Sequence, residues 1–219
     1  MHRPQALVGR RRLTADPGAV TGARGRRPRA RGGGSPEARS GTAPEAWWEA
    51  TLPEVVGPGL RCLFVGINPG RHSARAGHHF AGPQNHFWRL LAESGLTPRR
   101  LRSEEDRLLP SFGIGVTNVV ARPSSGEGDL SWAEFEAGGA RLRARVAEWR
   151  PRVVACLGKN VARAYAGLSQ HAALAWGPLS LPDLPAPGFT APNPSSRSTI
   201  AYEERLRLFA AIAALAREA

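Results

Sequence analysis

Residues 61–70 read Arg61-Cys62-Leu63-Phe64-Val65-Gly66-Ile67-Asn68-Pro69-Gly70. The run 62–65 is apolar at every position, short, and closed by glycine, asparagine and proline. Continuous rather than alternating apolarity is the mark of a strand covered on both faces, as in a parallel sheet packed between helices. The stretch predicts a strand over 61–67. Pro69 pushes Asn68 out of helical geometry, and Gly70 permits a sharp turn. Ligands of open α/β sheets bind outside the carboxyl ends of the strands. Asn68 therefore either projects into such a crevice or is an ordinary turn asparagine.

Working outward, the remaining elements alternate in type. A polar loop is expected over 68–84, then a helix over 85–94 with Phe87, Leu90 and Leu91 on its apolar stripe and Gly95 as its stop. A second strand is expected over 114–120. Ser131-Trp132-Ala133-Glu134 has the form of a capping box and opens a helix reaching Trp149. A strand over 153–157, a short helix over 159–166, a strand near 189–191 and a final helix over 202–217 complete the pattern. Strands alternating with helices define an α/β class with a mostly parallel sheet covered on both faces. No internal repeat is present.

Composition narrows the function. The chain has 219 residues and a formal net charge of +12, carried almost wholly by arginine, with Lys159 the sole lysine. That excess fits a polyanionic partner, foremost nucleic acid, although arginine enrichment also follows from GC-rich coding. Ten arginines against two acids fall within residues 1–40, beside Gly32-Gly33-Gly34 and several prolines. Such a segment cannot bury enough apolar surface to offset its ordering entropy. Residues 1–46 are expected to be a disordered arm, either a non-specific DNA contact or a start-site artefact rather than a targeting signal, and 47–219 the folded domain. Cys62 and Cys156 both lie in apolar runs and are expected to be buried structural thiols. No membrane-length apolar run or signal region is evident, so an intracellular soluble chain is expected.

The chemistry concentrates in residues 72–88. His72, His78, His79, Phe80, Asn85, His86, Phe87 and Trp88 crowd one loop-to-helix segment. A planar base needs an aromatic face to stack on and polar groups to read its edge. Phe80, in a glycine-bounded loop, is the stacking candidate, while Phe87 and Trp88 sit at core positions of a helix. The histidines lack a recognisable metal-ligand spacing with cysteine or carboxylate partners, so no metal site and no cofactor are read. Glu104-Glu105-Asp106 and Asp129 read as solvated or dipole-complementing charges. Gly158-Lys159 lacks the upstream glycine of a phosphate loop. Lys159, Arg71, Arg75 and Arg89 are candidate phosphate contacts.

Five motifs occur in order: Gly-Ile-Asn-Pro-Gly at 66–70, His-His-Phe at 78–80, Gly-Pro-Gln-Asn-His-Phe-Trp at 82–88, Gly-Ile-Gly-Val-Thr-Asn at 113–118 and Asn-Pro-Ser-Ser-Arg at 193–197. Together they resemble the mismatch-specific uracil/thymine-DNA glycosylase family over roughly residue 54 to the C-terminus. The resemblance implies a three-layer α/β/α sandwich around a short, mostly parallel sheet. It also implies metal-free catalysis and a pyrimidine flipped out of double-stranded DNA. Its expected reaction is hydrolysis of the N-glycosidic bond of uracil in G·U mispairs, leaving an abasic site. By the same resemblance Asn68 positions the attacking water. Phe80 stacks on the base, with Gly66, Ile67, Ser73, His79, Thr117 and Asn118 completing the pocket. Asn193, Pro194 and Ser195 belong to the second motif, whose Ser196-Arg197 tip enters the DNA stack. Ser73 faces the pyrimidine C5 region, which favours uracil over thymine.

The common bacterial tip of the second motif is Gly-Leu. Here Arg197 is either a stacking wedge or a solvent-exposed phosphate contact. The rival readings are a related glycosylase preferring deaminated purines and a catalytically weak mismatch-sensing DNA-binding protein. A monomer in the bacterial cytoplasm, on the nucleoid when bound to DNA, is expected.

Overall fold

The computed structural model describes residues 46–218. The arm expected over 1–46 lies outside these but for its last residue. The predicted central strand is β1, Cys62–Gly66, buried at every position. Around it the chain forms α1 (Arg71–Ala76), α2 (Phe87–Glu93), β2 (Ile114–Asn118), α3 (Trp132–Trp149), β3 (Val153–Leu157), α4 (Lys159–Ala166), β4 (Gly177–Leu179), β5 (Gly188–Ala191) and α5 (Tyr202–Arg217). A 3-10 run, Ser103–Phe112, leads into β2.

The sheet runs β2-β1-β3-β5-β4, with β4 antiparallel to β5 and every other pair parallel. Strand side chains alternate between faces. Cys62 and Phe64 of β1 join Val153, Ala155 and Leu157 of β3 in one core with α2 and α5. Leu63 and Val65 join Val154 and Cys156 in a second core with α3 and α4. The result is the expected three-layer α/β/α sandwich. Both cysteines are buried and unpaired, and burial pushes each thiol far above its ordinary value.

α3 begins where its capping box predicts. Ser131 Oγ accepts from the Glu134 N–H, and the Glu134 carboxylate accepts from the Ser131 N–H at 2.9 Å. Gly138 and Gly139 let α3 sit directly on backbone. A Cβ at 138 would lie 2.0 Å from the Val119 carbonyl oxygen, and one at 139 would lie 2.0 Å from that of Ala164.

Three elements depart from expectation. The loop predicted over 68–84 contains α1, a six-residue helix framed by Gly70 and by Gly77, whose φ of 72° closes it in the left-handed region. The run Ser103–Phe112 and the edge strand β4 have no counterpart among the elements expected from the sequence. β4 has three residues, one of them Pro178, a residue that sheets tolerate on an edge because it cannot donate to a ladder. The opposite edge is protected as well: Val55 exchanges two backbone hydrogen bonds with Val116 of β2, at 2.9 and 2.8 Å. Among the described residues, no helix is long and apolar enough to cross a membrane.

Candidate active site

All four parallel strands end on one side of the sheet. The carboxyl ends of β1, β3 and β5, with Asn118 of β2, open into one cleft of about 990 Å³. It is lined by Gly66, Ile67, Asn68, Ser73, His79, Phe80, Asn118, Asn193, Ser195, Ser196 and Arg197 among others. Motifs separated by more than a hundred residues in sequence thus share one cavity because parallel topology brings their strand ends together.

Asn68 is held in a single orientation. Its Nδ2 donates to the Arg122 carbonyl at 3.0 Å and to Ser124 Oγ at 2.9 Å. A carbonyl can only accept, and Ser124 spends its own proton on the Gly126 carbonyl at 2.7 Å. Both amide protons are therefore committed, and Oδ1 is the part of the side chain left to accept a hydrogen bond. The bracing loop is itself fixed. The Arg122 guanidinium pairs with both oxygens of Glu134, at 2.6 and 3.0 Å, and Asp129 Oδ2 accepts from the N–H groups of Ser125 and Gly126. The α3 capping box is thereby linked through Arg122 to Asn68.

Phe80 is one of two non-glycine residues with positive φ among the described residues, at 51°. That conformation is uncommon for a bulky side chain and has to be held by its surroundings. The ring stacks on Phe87 with centroids 3.9 Å apart, and Phe87 is wholly buried. On either side, the backbone is clamped. The His79 N–H donates to Asp106 Oδ2 at 3.1 Å and the Ala81 N–H donates to Ser73 Oγ at 3.1 Å. The Phe80 N–H between them has no hydrogen-bond partner among the described residues.

His79 is 3 % exposed, and its Nε2 donates to the Pro53 carbonyl at 2.9 Å. Burial pushes its pKa below the ordinary histidine value, so the ring is neutral near pH 7 with Nδ1 unprotonated. Gly66 is required by packing: a Cβ there would lie 2.5 Å from Asn118 Oδ1 and 3.5 Å from Phe80 Cζ. The second motif is a self-bonded turn. Asn193 Oδ1 accepts from the Ser195 N–H at 2.9 Å, and Ser195 Oγ accepts from the Arg197 N–H at 3.2 Å. The Pro194 carbonyl accepts from the His86 N–H at 2.9 Å, which ties the turn to the start of α2. Arg197 is exposed and reaches across the cleft to the Ser125 carbonyl at 3.3 Å.

Of the candidate phosphate contacts, Arg75 and Arg89 lie outside the cleft lining, and two of the pocket and second-motif candidates do as well. Thr117 is buried with its Oγ1 donating to Glu54 at 3.3 Å. Strand alternation is the reason: residues 117 and 118 point to opposite faces, so the cleft receives only Asn118. Pro194 is buried behind the turn and serves through its carbonyl. Asp106, expected to be a solvated or dipole-complementing charge, lies in the first turn of the 3-10 run and is only 2 % exposed. Its carboxylate holds the His79 N–H and the His78 ring, so it shapes the loop that carries Phe80.

Three further residues at the site, Ser124, Trp176 and Arg205, are not among those the sequence singles out. Ser124 had a usable signal, a polar turn directly after the 114–120 strand. Trp176 lines the cleft with Lys159 Nζ over its ring, 4.9 Å from the centroid. Arg205 is 5 % exposed in α5 and donates to the Ser195 carbonyl at 3.3 Å, with no carboxylate partner among the described residues. Among the described residues, no three His, Cys, Asp or Glu side chains come together to hold a metal ion.

A mostly parallel α/β sandwich with a polar cleft at its strand ends, Phe80 in its lining, is the architecture that the chain presents. The model of the uracil DNA glycosylase superfamily matches residues 53–216, most of the chain. The protein belongs to that superfamily, and with it to the glycosylases that hydrolyse the bond between base and sugar in DNA.

Proposed function

We propose that the protein is a monofunctional, mismatch-specific glycosylase of the uracil/thymine type, which excises uracil from G·U mispairs in duplex DNA and leaves an abasic site. The observation that carries this reading is the fixed amide of Asn68, whose only uncommitted group is an acceptor, in the same cleft that Phe80 lines. An amide has no useful basicity, so Asn68 orients water rather than deprotonating it. Catalysis then rests on stabilising the departing base. The extruded uracil stacks on Phe80, and Asn118 reads its edge. The unpartnered Phe80 N–H donates to the negative charge that develops on the pyrimidine as the glycosidic bond breaks, as an oxyanion hole does. Water held on Asn68 Oδ1 adds to the oxocarbenium-like sugar carbon and loses its proton to solvent. The Ser73 hydroxyl crowds the C5 side and disfavours the thymine methyl. Arg197 leaves the Ser125 carbonyl and fills the space vacated by the base, where its flat guanidinium can stack. The lone lysine, Lys159, lies outside the five motifs but lines the cleft over the Trp176 ring, so lyase chemistry would show as strand cleavage without alkali.

The test is base release, read by alkaline strand cleavage, on matched duplexes with uracil, thymine, hypoxanthine or an undamaged base opposite guanine. Release of uracil well ahead of the others is expected. Preferential release of hypoxanthine would favour the purine reading. Binding of the G·U duplex without release would favour a mismatch sensor.

A further inference from the structure

Beyond the cleft, the described surface carries an aromatic pair that the fold does not use. Trp48 is 56 % exposed, the most exposed large hydrophobic side chain among the described residues. Trp47 meets it edge-on, with ring centroids 6.0 Å apart and planes at 83°. The Arg71 guanidinium lies 5.2 Å from the Trp47 ring centroid. Arg71 also lines the cleft and donates to Ser125 Oγ at 3.2 Å, so the aromatic pair adjoins the cleft mouth. Leu52, a few residues further along the same segment, lines the cleft as well. Arg71, His72 and Arg75 of α1 are all exposed, against the exposed acids Glu49 and Glu54 among the described residues of the tryptophan segment.

We propose that Trp47, Trp48 and Arg71 form an aromatic and cationic ledge that binds the DNA strand as it leaves the duplex to deliver a nucleotide to the cleft. Large exposed aromatic surface is unfavourable in water and marks an interaction site. A flat ring beside a guanidinium fits one class of partner well. Bases stack on aromatic faces with little sequence preference, and arginine adds phosphate contact and cation–π attraction. At the point where a strand unstacks, its base faces become available to a protein ring. Trp47 is already covered on one face by Arg71, which leaves Trp48 as the stacking surface and Trp47 as its support. The inference rests on reading the cleft as the site that receives an extruded base.

The test measures binding rather than base release. Full-length wild type, Trp48→Ala and Trp48→Phe are titrated by anisotropy against a fluorescein-labelled single strand and an intact duplex, both free of uracil. Loss of one base–aromatic stack raises Kd about five- to a hundredfold, so Trp48→Ala should weaken single-strand binding within that range. Trp48→Phe, which keeps a ring, should recover most of the loss. An unchanged Kd for Trp48→Ala would overturn the ledge. So would light scattering that shows a wild-type dimer converted to a monomer by Trp48→Ala, because the pair would then cover a second copy of the chain. Because neither probe contains uracil, failure of the ledge leaves uracil release by the wild type standing. Failure of uracil release likewise leaves the measured affinities intact.

Discussion

Asn68 is held by two acceptors that cannot be exchanged for donors, and this makes its amide orientation a chemical necessity. Ser124 is one of the two. Removing its hydroxyl leaves the Arg122 carbonyl as the only brace. One hydrogen bond of this kind is worth about 0.5–1.5 kcal/mol. Ser124→Ala should therefore slow single-turnover uracil release about two- to tenfold and, because the same buried hydroxyl also donates to the Gly126 carbonyl, lower the thermal midpoint by several degrees. His79 gives a pH prediction. The folded ring takes up a proton only below the ordinary histidine value, whereas the unfolded chain does so near pH 6.5. Between those values the unfolded state binds more protons, so stability falls as the pH drops below about 7, and it levels off beneath the folded pKa. His86 is depressed in the same direction, chiefly by desolvation, and adds to the slope. Urea midpoints across this range should fall with pH, and His79→Gln should flatten part of the decline. Residue identity and spacing pointed to Asn68, Phe80 and Asn193. They did not point to Asp106 or Arg205, because burial of a charged side chain is a tertiary property that a local polar context hides.

At the scale of elements, the α3 N-terminus does more than start a helix. Glu134 closes the capping box and holds Arg122, whose carbonyl orients Asn68. The helix then packs on backbone through Gly139. A methyl group there would meet the Ala164 carbonyl oxygen at 2.0 Å, and neither partner is a flexible side-chain end. Gly139→Ala should cost about 1–3 kcal/mol of stability, the usual range for overpacking, and appear as a lower urea midpoint. What was legible follows the same physics. β1 and β3 are apolar throughout because both faces are covered, and α3 carries its own start signal. α1 carries none: its six residues, Arg-His-Ser-Ala-Arg-Ala, show no apolar stripe, and glycine geometry at its ends defines it. β4 takes its strand character from pairing with β5, which a three-residue segment with a proline cannot announce.

For the molecule as a whole, the decisive fact is convergence. Motifs at 66–70, 78–80, 113–118 and 193–197 meet because parallel strands place their carboxyl ends together, and the superfamily match spans that same region. The net charge of +12 suits a polyanion, while the proposed chemistry rests on a few neutral groups: an amide, an aromatic ring and a backbone N–H. The proposed reaction depends on the Asn68 amide. In single-turnover assays on a duplex with one G·U pair, the wild-type protein should release uracil and leave an alkali-labile site. Asn68→Ala, still folded and still binding the duplex, should lose on the order of 10²-fold or more in rate, because the attacking water is no longer placed. Uracil release by Asn68→Ala at the wild-type rate would contradict it.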